Sequence, residues 1–275
     1  MITLENFYRG TPELYDIDLL QMEVGGGETT YEEIESIAQF PNAKSIIISG
    51  LRQETFEYFI DNFGDQFEAI SFWKNKAVKD LSSLAKLENI KYISYFYNQK
   101  ASDLWDMSGN KQLTGLSIMD FSKLKSISKI ETSKSLKYFR LGNEVFDKMD
   151  IDSLKPLKNT DITHFEWIGK KVIDGDYKCL ADGNIKVLDM NPTRFTMMEL
   201  AELLSCFPST LEGSITKPYV TGGVVSREGK TVYYHLCKGK KKCEKGVDDE
   251  RFAKYLEEFS TLLESYRVPQ YGHNL

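Results

Sequence analysis

The sequence is poor in the residues that mark several large classes of function. Its four cysteines, Cys179, Cys206, Cys237 and Cys243, are too few in 275 residues to build a disulfide framework. Reduced thiols and a cytoplasmic location are therefore expected. No apolar run approaches the roughly 18 residues of a membrane helix. The opening stretch lacks a basic segment followed by an apolar one, so no signal peptide and no membrane partner are expected. Positive charge is in the minority, with 35 Lys and Arg against 41 Asp and Glu, a net charge of −6. A chain of that balance has no general attraction for nucleic acid. There are only three histidines, His164, His235 and His273. No G-x-S-x-G, P-loop lysine or H-E-x-x-H motif occurs. Gly25-Gly26-Gly27 has neither a preceding strand nor a suitable lysine, and reads as a turn rather than a nucleotide loop. No cofactor, no metal and no enzymatic activity are expected.

What is present is a repeat. An apolar 1-4-6 pattern opens at Ala43-Ile46-Ile48 and returns at Phe67-Ile70-Phe72, Ile90-Ile93-Tyr95 and Leu113-Leu116-Ile118. It continues at Leu136-Phe139-Leu141, Ile162-Phe165-Trp167 and Ile185-Leu188-Met190, and ends at Leu211-Ser214-Thr216 as a degraded copy. Successive copies are 24, 23, 23, 23, 26, 23 and 26 residues apart. Within three copies, a return segment adds apolar columns at Leu81, Leu104 and Ile127 and at Leu84, Met107 and Ile130. Strand and return segment thus both point inward, and stacked copies bury one continuous core. The turn after each strand needs partners for its backbone groups. Asn75 and Asn98 occupy the position that would supply them, whereas Phe121, Glu144 and Thr193 replace Asn elsewhere, with Asn143 and Asn191 one place early.

The stretch from Lys76 through Asp80, Leu81, Leu84, Leu87 and Ile90 to Ile93 resembles the internalin-type leucine-rich repeat, and Phe121 to Leu136 echoes it. The resemblance spans residues 43–217 in a divergent form. It implies an α/β solenoid, a leucine-rich-repeat horseshoe of about eight parallel strands, and says little about the partner. Residues 1–42 are expected to form an N-terminal helical cap, with a helix over Tyr31–Phe40 begun by Thr29 or Thr30. Residues 43–217 hold the repeats, and 218–275 form a C-terminal cap, all in one continuous domain. That second cap combines a hairpin, Tyr219–Val225 and Thr231–Leu236 joined at Ser226–Gly229, with an amphipathic helix over Val247–Tyr266. Outer helices are predicted over Phe56–Phe63, stopped by Gly64, and over Thr196–Phe207, with 3₁₀ turns in the middle repeats.

If positions 1, 4 and 6 face the core, positions 3, 5 and 7 face the concave side. Trp73, Tyr92, Phe96, Met119 and Tyr138 give that side an apolar half. Arg140, His164, Glu166 and Asp189 give it a charged half. Aromatics, Met and Arg are what interfaces favour, so a protein partner is expected there, bound by a monomeric scaffold. The same rings are also explained if they pack on one another, or on a terminal segment folded across the face. Arg140 and Glu166 are placed to pair. His164 with Ser117 or Glu166 is the one arrangement that resembles a triad fragment. The run Lys238–Lys245 reads as a solvated loop, and Cys237 just before it and Cys243 within it lack the second ligand pair of a zinc site. Cys179 and Cys206 read as packing residues. Two further roles remain open: a structural or regulatory subunit of a larger assembly, and an immunity-type inhibitor of a toxic enzyme.

Overall fold

The computed structural model describes residues 1–22, 27–146, 149–226 and 229–267. The Gly25–Gly26 part of the glycine turn and the centre of the Ser226–Gly229 turn lie outside them. The chain forms two compact units, residues 1–185 and 186–275.

The first unit is built on parallel strands: β1 (Ile17–Leu19), β2 (Ser45–Ile48), β3 (Ala69–Trp73), β4 (Tyr92–Asn98), β5 (Gly115–Phe121) and β6 (Tyr138–Gly142). β7 (Asp150–Ile151) and β9 (Lys171–Val172) pair with each other as a separate small ladder. β8 (His164–Trp167) follows β6 in the main sheet. The first unit's sheet thus holds seven strands in the order β1-β2-β3-β4-β5-β6-β8 among the described residues, and an eighth strand, β10 (Val187–Met190), belongs to the second unit.

Register follows the repeat copy by copy. Ile46 faces Ile70, Ile70 faces Ile93, and the series runs on through Leu116, Phe139 and Phe165. Each of these is at most 1% exposed. A slip of one residue would turn every such side chain to the opposite face, so the column pins the register. Burying each contributes roughly 1.5–3 kcal/mol. Phe72, Tyr95 and Phe121 extend the core as a line of rings, 5.1 Å apart at each step. Phe121 stands at a place in the sequence where the repeat would carry Asn, and it fills that place with ring contact instead of hydrogen bonds.

The number of strands matches the expectation, but their membership differs. Leu211 to Thr216 is no strand; it makes a single bridge, Val187 to Glu212, and a 3₁₀ turn. The extra strand is β1, which pairs with β2 inside the region expected to be a helical cap. Leu14, Ile17 and Leu19 keep the 1-4-6 spacing, a signal 29 positions ahead of Ala43 and so outside the 23–26-residue period. Asp16 fastens β1 to β2: its Oδ2 accepts from Lys44 N–H (2.7 Å) and Ser45 N–H (2.9 Å).

Helix α1 (Tyr31–Glu35) continues as a 3₁₀ turn, with Thr30 and Glu33 forming a reciprocal cap. Helix α2 (Gln53–Phe63) buries Phe56, Phe59 and Ile60. Gly64 ends it in a right-handed conformation (φ −57°), not the left-handed one expected of a stop glycine. Its missing side chain has another reason: a Cβ there would lie 2.6 Å from Leu87 Cδ2. The middle repeats return through 3₁₀ segments, Ser82–Lys86, Ser128–Thr132, Lys155–Asn159 and Lys178–Asp182.

The second unit carries helix α3 (Met197–Ser205), capped by Thr196 with Glu199 and burying Leu200, Leu203 and Leu204. A hairpin follows, β11 (Tyr219–Ser226) against β12 (Gly229–Leu236), with β13 (Cys243–Glu244) on the far side of β12. Helix α4 (Asp249–Arg267) lies on the hairpin base. Phe252 stacks on Tyr234 at 4.0 Å, and Tyr255 Oη donates to Pro218 O at 2.6 Å. No helix among the described residues is long and apolar enough to cross a membrane.

Candidate functional site

The sheet face bearing positions 3, 5 and 7 is not open across its width. Residues 1–15 of the same chain lie on it. Phe7, 2% exposed, stacks on Tyr92 (5.5 Å, 24°) and meets Tyr138 edge-on (5.6 Å). Tyr8 stacks on Tyr138, and the Arg140 guanidinium sits 5.0 Å over the Tyr8 ring. Gly10 lies against Trp73 so closely that a Cβ would fall 2.0 Å from the indole. Gly115 makes room in the same way, since a Cβ there would meet the Phe7 ring at 2.9 Å. Tyr15 Oη donates toward Phe7 O or Arg9 O, each at 3.2 Å, which folds the arm back on itself.

The nine residues read from the sequence therefore have different surroundings. Tyr138, Arg140, Phe96 and Met119 are buried; Trp73, Tyr92, His164, Glu166 and Asp189 are partly exposed. Arg140 and Glu166 do pair, Nε to Oε2 at 2.9 Å, and the same oxygen accepts from Tyr138 Oη at 3.0 Å. Burial, then the Glu166 charge, raise the Tyr138 pKa well above the phenol range. His164 packs on the Tyr138 ring at 4.1 Å. Ser117 Oγ is buried without a hydrogen-bond partner among the described residues, so no base engages it as a nucleophile. Asp189, in the second unit, accepts from Ser214 N–H. Cys179 is buried, and burial followed by the Asp176 charge pushes its thiol up to about 12. Cys206 is exposed rather than packed. Lys238–Lys245 is not all loop, since it turns from β12 into β13, with Lys242 Nζ 3.6 Å over the Tyr233 ring.

What the sequence did not disclose is a groove of about 1060 Å³ at the C-terminal ends of β2, β3 and β4. Trp73 and Phe96, their rings 4.4 Å apart, form part of its wall. Met22, Val145 and Phe146, 90%, 64% and 42% exposed, form another part. Its geometry comes from a column of left-handed residues one place beyond position 7: Gly50 (φ 72°), Lys74 (57°), Tyr97 (65°) and Asp120 (57°). Three of the four are not glycine, and each costs on the order of 1–2 kcal/mol. Gly50, Lys74 and Tyr97 line the groove.

Asp120 builds the far wall. Its carboxylate, 3% exposed, accepts backbone N–H from Glu144 (3.1 Å), Val145 (3.0 Å) and Phe146 (2.9 Å). The loop is pinned while its side chains stay outside, and Phe146 meets Tyr97 at 4.9 Å. The carboxylates on the rim have cationic partners: Glu28 pairs with Arg52, and Glu144 lies 3.6 Å from Arg140. Lys74 and Lys76 add positive charge to the lining.

Comparison with solved structures finds two, among others, that resemble this chain. An internalin from Listeria monocytogenes aligns over 74% of this chain and 55% of its own, with 16% identity and a TM-score of 0.50. A leucine-rich-repeat protein of Leptospira interrogans aligns over 74% of this chain and 49% of its own, with 15% identity and a TM-score of 0.44. The chain thus spans about half the length of the structures it matches. No family model and no curated protein matches it. At 16% identity the internalin bears on fold alone. Together with the repeat, its inward columns and the parallel ladder, it establishes that this chain has the leucine-rich-repeat fold.

Proposed function

We propose that this protein is a non-catalytic recognition scaffold whose docking surface is the groove beside Trp73 and Phe96. The carrying observation is exposed apolar surface held on an ordered frame: Val145 and Phe146 stand in solvent on a groove wall that Asp120 fixes through three hydrogen bonds, and the exposed Met22 also lines the groove. Large apolar groups ringed by charge are the usual mark of an interaction site. A volume near 1060 Å³ is at the upper end for small-molecule pockets and suits a polypeptide segment. Glu28 is matched by Arg52, and Glu144 shares Arg140 with Glu166, so the apolar wall sets the preference and the segment is one with an apolar anchor.

This reading shares Trp73 and Phe96 with the face anticipated from the sequence, and leaves Tyr92, Tyr138 and Arg140 under the N-terminal arm. The test is affinity capture from the source cells with the wild type and with Val145→Asp/Phe146→Asp. Both side chains are exposed, so the fold is retained, as far-UV circular dichroism will verify. A protein held by the wild type and lost by the variant supports the groove. Equal retention by both rejects it.

A further inference from the structure

The exposed hairpin of the second unit carries a separate surface. β11 reads Tyr-Val-Thr-Gly-Gly-Val-Val-Ser, without a charge or a proline. It stands at the edge of its three-stranded sheet, whose order is β11-β12-β13. Edge strands ordinarily carry lysine, proline or a bulge that discourages pairing with another chain. β11 has no such charge or proline, and its Val220, Val224 and Val225 are 38%, 58% and 79% exposed. An eight-residue hairpin with β-branched side chains in water on both faces is weakly supported by itself.

Backbone orientation along this edge follows from the neighbouring strands. Lys245 N–H donates to Val232 O, so the peptide groups of Val232 face β13. Gly223 is the partner of Val232 in β11, and its N–H and C=O consequently face away from β12. By alternation, Tyr219, Thr221, Gly223 and Val225 present their backbone groups along the edge. A second strand must offer residues of the same kind at each hydrogen-bonded position. Antiparallel pairing of β11 with another β11 meets this requirement when the two-fold axis passes through Gly222. Tyr219 then bonds Val225 of the other copy, and Thr221 bonds Gly223. Val220 falls opposite Val224 in the pairs without hydrogen bonds, where Cα atoms approach to about 4.5 Å and side chains touch most closely. Glycine meets glycine on the axis, where crowding would be greatest.

We infer that β11 is a self-association edge, by which two copies of this chain join their hairpins into one continuous antiparallel sheet. The occupant is a second copy because the strand is self-complementary about Gly222: valine is set against valine twice, with no charge to oppose it. The interface is isologous and closes on itself, which limits assembly through this edge to a dimer.

The experiment is sedimentation equilibrium of the full chain over a dilution series, for the wild type and two variants. Val220→Lys/Val224→Lys sets lysine against lysine twice across the axis and is expected to weaken the dimer by roughly a hundredfold or more. Val220→Lys/Val224→Glu sets lysine against glutamate twice and is expected to restore it. Circular dichroism confirms that both variants fold, since all the altered side chains are exposed. A wild type that stays monomeric overturns the inference and leaves the edge to a strand of another protein. So does a dimer that survives the double lysine change, or a lysine–glutamate variant as monomeric as the double lysine one.

Discussion

Replacing Phe7 by Ala tests whether the N-terminal arm is a separable cover or part of the cooperative core. Among the described residues, the backbone–backbone hydrogen bonds of residues 1–15 stay within the arm, such as Phe7 N–H to Thr3 O, Arg9 N–H to Asn6 O and Tyr15 N–H to Pro12 O. Side chains therefore carry the docking. A buried Phe→Ala change removes about 3–5 kcal/mol. The ties that remain are smaller: the Tyr8–Tyr138 stack of about 0.5–1.5 kcal/mol and the Arg140–Tyr8 contact of about 0.5–1 kcal/mol. Ordering a residue's backbone costs about 1–2 kcal/mol, so the arm without its anchor leaves the sheet. Tryptophan emission reports this selectively. Trp105 and Trp167 are 2% and 3% exposed in the core, whereas Trp73 is partly exposed and lies under Gly10. Phe7→Ala is expected to red-shift the emission and increase acrylamide quenching, while the midpoint of the main urea transition changes little. An unchanged Trp73 signal together with a main transition weakened by the full 3–5 kcal/mol would refute the reasoning, because Phe7 would then belong to the cooperative core.

Two further outcomes follow from buried hydrogen bonds and from titration. Asn75 Oδ1 accepts from Leu51 N–H at 2.7 Å, and its Nδ2 donates to Ile48 O at 2.9 Å, all in the core. Asn75→Ala leaves both backbone groups unmatched and is expected to cost about 2–4 kcal/mol in urea denaturation. Lys86→Ala, which breaks the exposed pair with Asp61, provides the control and is expected to cost about 0–1 kcal/mol. For pH, the sign follows from six carboxyls with lowered pKa, among them Asp16, Glu33, Glu199 and Asp248. Backbone N–H groups of Thr30, Thr196 and Glu244 lower those of Glu33, Glu199 and Asp248. Burial works against Asp16, but the Lys44 and Ser45 hydrogen bonds outweigh it. A folded pKa below the unfolded one adds stability that is full above the unfolded value, about 4, and is lost as pH falls through the folded one. Thermal midpoints should be flat from pH 7 to about 5 and fall below about 4; a fall beginning near pH 6 would implicate other groups.

Much of the fold was legible because a solenoid repeats its physical requirements. Each copy must bury positions 1, 4 and 6, so the same columns recur and give both strand and register. The turn asparagines were legible for the same reason: Asn75 and Asn98 each satisfy buried carbonyls and amides of the adjoining turns. Asn143, one place early, holds Met149 N–H at 2.9 Å. β1 was hidden by the long connection separating it from β2, which carries α1 and breaks the period. The arm was hidden for a deeper reason. Phe7 meets Tyr92 and Tyr138 through tertiary contact between an aperiodic segment and a periodic one, and no spacing rule connects them.

The groove marks the limit of periodic reasoning in another way. Gly50 is the kind of residue a left-handed position is expected to hold, and a Cβ there would meet Gly27 O at 2.6 Å. The next three repeats place Lys74, Tyr97 and Asp120 in the same conformation, and no residue type announces it. The conformation is imposed by neighbours already in register: Lys74 N–H bonds Phe96 O at the left-handed position itself, and Ser122 N–H bonds Asn98 O just past it. With the backbone set in this way, the side chains of the column are free to diverge. Lys74 brings charge and Tyr97 a ring to rest against Phe146, while Asp120 turns inward to hold the loop bearing Val145 and Phe146. A position that the fold fixes in backbone and leaves variable in side chain is where a repeat protein can acquire a site without disturbing its core, and such a site carries no period for the sequence to display.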